Sequence, residues 1–106
     1  MKHSSDDWNV ECKPSGREGY FFYHEDSFEI PFRWEYGGGG VRVIISLDKI
    51  SEWDKRYPWA VGRKLEIFER MAQKCFPQND PTCKADINIE EGCIYLRERK
   101  LPTLPD

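Results

Sequence analysis

His24, Glu25 and Asp26 place an imidazole and two carboxylates at three consecutive positions. These are the makings of a general base and its orienting acid. With the thiol of Cys93 or Cys12 as nucleophile they would make a covalent-catalysis set. Nothing in the spacing requires that assembly. The three residues lie where the chain must reverse between two aromatic runs, and polar side chains are the ordinary content of such a turn. No catalytic residue is assigned.

Four glycines, Gly37 to Gly40, suggest a phosphate cradle. A P-loop needs its glycines between a strand and a helix, closed by Lys and then Ser or Thr. Here Val41-Arg42 follows and opens another apolar alternation, so a mobile hairpin tip is the reading. Four cysteines (Cys12, Cys75, Cys83, Cys93) show no C-x-x-C spacing, and neither His3 nor His24 adjoins a close pair. The paired ligands of a structural zinc site are therefore missing, and neither metal nor cofactor is assigned. Cys75 and Cys83 could close a small disulfide loop, but small, mostly buried thiols are expected in a reducing compartment.

Two sets of basic residues carry more interest. Lys64 falls inside the apolar arc of the helix described below, where it either snorkels past the sheet edge or serves a pocket. Together with Trp59 it marks a pocket between helix and sheet, and a small-ligand-binding protein or small enzyme using that pocket is the second reading of function. Arg63, Arg70 and Lys74 share one flank of the same helix. A solvated face is expected there, with Glu66 supporting Arg70 at i,i+4.

The elements that must position these residues follow from periodicity. Phe28, Ile30, Phe32, Trp34 and Tyr36 alternate strictly with Glu29, Pro31, Arg33 and Glu35, which predicts a strand with one apolar face. Pro31 cannot donate to a ladder, so that strand is expected at an edge or with a bulge. Tyr20-Phe21-Phe22-Tyr23 precedes it in a hairpin, and Val41–Ile45 follows the glycines as another strand. Trp8, Val10 and Cys12 alternate with polar residues and leave room for a short strand before Pro14. Val61, Leu65, Phe68, Ala72 and Cys75 step by four and three, the pattern of a helix with one buried stripe. Pro58 suits its first turn, Pro77 ends it, and Ser51-x-x-Asp54 predicts a brief capped turn before it. Ile87/Ile89 and Ile94/Leu96, turned by Glu91-Gly92, make a final hairpin.

The chain has 106 residues, with 16 Lys and Arg against 19 Asp and Glu. Its sequence pI of about 5.4 argues against wholesale nucleic-acid binding. Four Trp, five Tyr and six Phe argue for a packed core rather than disorder. Among the aromatic clusters Tyr20–Tyr23 and Trp53/Tyr57/Trp59, Arg17-Glu18-Gly19-Tyr20-Phe21 only grazes the basic and glycine pattern of base-stacking RNA-binding sheets, and acidic Glu18 and Glu25 flank the run. A single-stranded nucleic-acid binder is therefore the least favoured reading. Residues 1–7 carry no apolar stretch of signal-peptide length, and no segment approaches the roughly 18 to 20 apolar residues that cross a bilayer. A cytoplasmic protein without membrane contact is expected.

The expected fold is α+β: a single domain over residues 1–106 with an antiparallel sheet of about five strands (β-β-β-α-β-β) and one long helix on one face. Residues 1–17 would be a polar arm, 18–98 the globular core and 99–106 an extended or frayed tail. Phe32, Trp34, Val43, Leu65, Phe68, Ile87, Ile89 and Leu96 would meet between sheet and helix. The outer sheet face would then carry Glu29, Arg33, Glu35, Arg42, Ile44, Tyr95 and Arg97, joined by one register of the aromatic strand. Its arginines and rings are the residue types of binding hot spots. A small non-catalytic protein that contacts another macromolecule, a protein partner or a second copy, is the first functional reading. Arg33, Arg42, Tyr95, Arg97 and Tyr23 are its candidate contacts.

Overall fold

The strict alternation read over Phe28–Tyr36 is realised in the third strand of a three-stranded meander. β1 (Trp8–Ser15), β2 (Glu18–Glu25) and β3 (Phe28–Tyr36) pair antiparallel over almost their whole lengths. The computed structural model describes residues 6–16, 18–76 and 83–98. β4 (Val41–Ser46) returns from the glycine tip, α1 (Trp53–Arg56) and α2 (Lys64–Cys75) follow, and β5 (Cys83–Asn88) and β6 (Cys93–Glu98) close the sheet. The strand order is β1-β2-β3-β4-β6-β5, antiparallel throughout. Among the described residues the architecture is therefore α+β, a six-stranded sheet with two helices. The additional strand is β1, which runs through Pro14 to Ser15 instead of stopping before it. The tail expected at 99–106 and the helix stop expected at Pro77 lie outside the described residues.

Register fixes the two faces. Pairing of Trp34 with Ile45 and Gly19, of Phe32 with Phe21, and of Ile30 with Tyr23 puts all of them on the helix side. Ile94 and Leu96 join them through Ile45 and Val43. Gly19 is required there because a Cβ would come within 2.8 Å of the Trp34 Nε1 and 2.5 Å of the Lys13 carbonyl oxygen. Phe32 and Phe68 meet edge to face at 5.4 Å, with Trp53 6.3 Å from Phe68. Such contacts contribute about 0.5–1.5 kcal/mol each beyond the area they bury. The Trp53 Nε1–H donates to the Ala60 carbonyl at 2.8 Å and ties α1 to the turn that leads into α2.

Three expectations about position are corrected. Pro31 lies on an interior strand, not at an edge or bulge. Arg33 is the last β3 residue paired with β4, so Pro31 sits beyond the end of that ladder and its missing N–H breaks no bond there. The long helix starts at Lys64 rather than in the Pro58 turn. Pro58–Ala60 is a 3₁₀ turn, and Gly62 at φ 78° breaks the path between them. As a result Val61 and Leu65 fall outside the buried arc and are 42% and 50% exposed. Ile67, Phe68, Met71 and Ala72 are the helix residues that enter the core. The brief helical turn near Ser51 is present, but Ser51 lies inside a 3₁₀ turn and does not cap it.

Candidate functional site

The outer face is built by the side chains that alternate away from α2. On β2 these are Tyr20, Phe22 and His24, whose rings stack in sequence, 5.9 Å apart between the first two and 6.4 Å between the last two. Spacing at i, i+2 and i+4 on a strand makes this ladder inevitable once the inner register is set. The Lys13 ammonium lies 5.3 Å above the Phe22 ring. His24 lies between two carboxylates, Nε2 3.5 Å from Glu11 and Nδ1 3.7 Å from Glu29.

A second cluster forms on β5 and β6. The Arg97 guanidinium lies 4.8 Å over the Tyr95 ring while Asp86 holds its Nε at 2.8 Å. The Tyr95 hydroxyl donates to the Glu91 carboxylate at 3.1 Å. Its hydrogen bonding with Cys93 and then with Glu91 pushes the phenol up to about 12. Between the clusters run Glu29, Pro31, Arg33 and Glu35 of β3 and Ile44 of β4. Arg33 is about half exposed and only loosely held by Asp48, at 4.0 Å. It lines a hollow of about 110 Å³ with Tyr20, Pro31, Asp48, Arg56 and Tyr57. That volume is well below the roughly 300–1,000 Å³ of a small-molecule pocket.

The expected contacts divide accordingly. Register places Arg33, Tyr95 and Arg97 on the outer face. Arg42 falls at a β-bulge between Val41 and Val43, where its Nε donates to Glu98 at 3.2 Å. Tyr23 is corrected: it is fully buried on the helix side, and Tyr20 and Phe22 take the outer register instead. Trp59 stacks on Phe28 at 4.6 Å, and Lys64 is half-buried at the start of α2. Neither lines the hollow around Arg33. The glycine tip is bonded rather than open, with Gly37 N–H donating to the Arg42 carbonyl and Glu98 N–H to the Gly40 carbonyl.

His24 and Glu25 point to opposite faces, so the imidazole and the nearer carboxylate never converge. Cys93 is three strands away from them in the sheet, and Cys12 pairs with Phe21 on the helix side. None of the four cysteines is in a disulfide, and Cys12 is exposed rather than buried. Burial pushes the Cys75 thiol up to about 12.

Glu25 is instead the centre of a buried ionic cluster that sequence reading passed over as a turn residue. Arg63, expected on a solvated flank, is 2% exposed and grips Glu25 with both terminal nitrogens at 2.9 Å. Arg70 donates to Glu25 at 3.0 Å and to the Tyr23 hydroxyl at 2.9 Å, and that hydroxyl donates to Glu25 at 2.7 Å. Glu66 accepts from Arg63 at 2.6 Å and pairs with Arg70 at 3.3 Å, so its expected support of Arg70 is present. Burial alone would raise the Glu25 carboxyl. The hydrogen bonds from Arg63 and Tyr23 and the two guanidinium charges overcome it and hold the group below its usual range. Trp8 covers the cluster, stacked on Tyr23 at 6.0 Å with Arg70 5.0 Å from its ring. Each charge has its counter-charge, and the cluster fastens α2 to the β2–β3 hairpin. The missed signal was parity: Glu25 shares the inner face of β2 with Tyr23, and Arg63 and Arg70 are seven apart on one helix flank.

The chain matches no protein-family model, no curated protein and no solved structure. Among the described residues no helix is long and apolar enough to cross a membrane.

Proposed function

We propose that this chain is a non-catalytic binding protein whose outer sheet face docks on another protein. The carrying observation is the pair of preassembled clusters on that face, the Tyr20–Phe22–His24 ladder and the Arg97–Tyr95 stack. Rings and guanidinium groups already locked by stacking lose little rotamer freedom on contact, which favours them as anchors.

Charge supports a protein partner over nucleic acid. Glu11, Glu18, Glu29, Glu35 and Asp86 interleave on this face with Lys13, Arg33, Lys84 and Arg97. A nearly balanced field gives orientation and register to a protein contact but no track for a phosphate backbone. Cytoplasmic residence belongs to the same reading.

The test is affinity capture of a partner by the wild-type chain, followed by titration of that purified partner against Phe22→Ala and Tyr95→Ala. Both variants are expected to stay within about 1 kcal/mol of wild-type stability and to weaken binding by tenfold or more. Unfolding by Tyr95→Ala, or a partner that binds both variants like wild type, would overturn the reading.

A further inference from the structure

β1 ends the sheet, and among the described residues no strand pairs with its other side. The orientation of its backbone follows from one bond. Asp26 N–H donates to the Asp7 carbonyl, which makes Asp7 and Asp26 a hydrogen-bonded pair of the β1–β2 register. Such pairs alternate along an antiparallel ladder. Asn9, Glu11 and Lys13 therefore bond to β2, while Trp8, Val10 and Cys12 turn their N–H and C=O groups to the open edge. Pro14 belongs to the outward set, so its missing N–H costs the β1–β2 ladder nothing.

We propose that this edge pairs with β1 of a second copy of the chain, antiparallel about a twofold axis at Cys12. A twofold axis perpendicular to the sheet keeps each residue on its own face, so only registers centred on a residue are allowed. Two of them overlap seven residues of the eight-residue strand. Centring on Glu11 sets Glu11 opposite Glu11 of the second copy. Centring on Cys12 sets Glu11 opposite Lys13 of the second copy, twice, with all four side chains exposed on the outer face. Cross-strand opposite charges stabilise and like charges destabilise a pair, so the sequence selects the second register. Cys12 then exchanges both backbone bonds with its own copy, and each Val10 N–H donates to the Pro14 carbonyl across the axis. Lys13 and Pro14 are residues that blunt an edge against a strand of unmatched charge. Against a copy of itself this edge is complementary. The pairing uses none of the anchors assigned to the outer face and stands or falls apart from that reading.

The experiment is sedimentation equilibrium of wild type, Glu11→Lys, Lys13→Glu and a one-to-one mixture of the two variants. Circular dichroism melting serves as the control that each variant is folded. Wild type is expected to reach twice the 12.6 kDa chain mass as concentration rises. Each single reversal sets like charges opposite one another and weakens self-association by about tenfold or more. The mixture restores Glu opposite Lys at both contacts and recovers wild-type association. A short bis-maleimide should link wild-type copies through Cys12, and Cys12→Ser should abolish the link. A wild-type chain that stays monomeric overturns the proposal, as does a dimer indifferent to both reversals. So does a mixture no better associated than its components. Self-association that survives Glu11→Lys but not Lys13→Glu would place the axis at Val10, with Lys13 facing Asp7, and would equally refute it.

Discussion

Replacing Arg63 by methionine is expected to destabilise the protein by about 3–5 kcal/mol, the cost of breaking a buried ion pair from one side. Arg63 is 2% exposed and Glu25 fully buried, so the carboxylate left behind has no access to water. Tyr23 and Arg70 still reach Glu25 in the variant, which holds the expected loss to this range. The pH dependence identifies the cause. A carboxyl whose folded pKa is depressed contributes stability that is complete above its unfolded value, about 4.3 for Glu, and is lost as pH falls through the folded value. Glu25 and Glu66 are both depressed, Glu66 chiefly by its hydrogen bond from Arg63. Urea denaturation should therefore show the gap between wild type and Arg63→Met narrowing as the medium is taken from neutral to below about pH 4. A gap that is small at neutral pH, or that widens in acid, would contradict the account of the cluster.

Phe68→Ala should cost about 3–5 kcal/mol, as large-to-small changes in a packed core do. Phe68 is fully buried and touches Phe32 and Trp53 edge to face. Leu65→Ala, three residues earlier on the same helix, should cost less than about 1 kcal/mol because the side chain is half exposed. Equal losses from the two would mean that the helix is rotated from the orientation described. Chemical denaturation of both variants in parallel reads the contrast directly.

The Leu65 and Phe68 contrast also shows how far the sequence was legible. Strict alternation over Phe28–Tyr36 identified β3 and its buried face at Ile30, Phe32 and Trp34, because a period of two leaves no freedom once one side is apolar, while Tyr36 at the strand's end is 60% exposed. The helix stripe was legible only in part. Steps of four and three from Val61 through Cys75 fit a continuous helix, but Gly62 breaks the chain there and the helix begins two residues later, which rotates Leu65 out of the core. Pro31 suggested an edge because an edge is the usual way to accommodate a missing N–H. Where a neighbouring strand ends is a tertiary fact that no local pattern carries. β1 was read too short for the same reason, since only the outward register of Pro14 makes it harmless.

The candidate surface was readable from strand parity for Arg33, Tyr95 and Arg97, whose positions depend on alternation alone. The choice between Tyr20/Phe22 and Phe21/Tyr23 was not, because a strand aromatic on both sides gives parity no handle. The buried partners decide it. The Tyr23 hydroxyl is needed by Glu25 and Arg70, and that requirement draws Tyr23 inward and leaves Tyr20 and Phe22 outside. Glu25 was misjudged because a charged residue beside a turn is ordinarily solvated, and only Arg63 just before α2 and Arg70 on it make its burial affordable.

The outer face as a docking surface is the central claim, and site-specific photo-cross-linking tests it most directly. p-Benzoylphenylalanine introduced in place of Phe22 reports on the outer face, and the same residue in place of Leu65 reports on the exposed flank of α2. Irradiation of the intact cells that make the protein, followed by mass analysis, should give one discrete adduct with a different protein from position 22 and none from position 65. An adduct from position 65 alone, or from neither position, would contradict the claim.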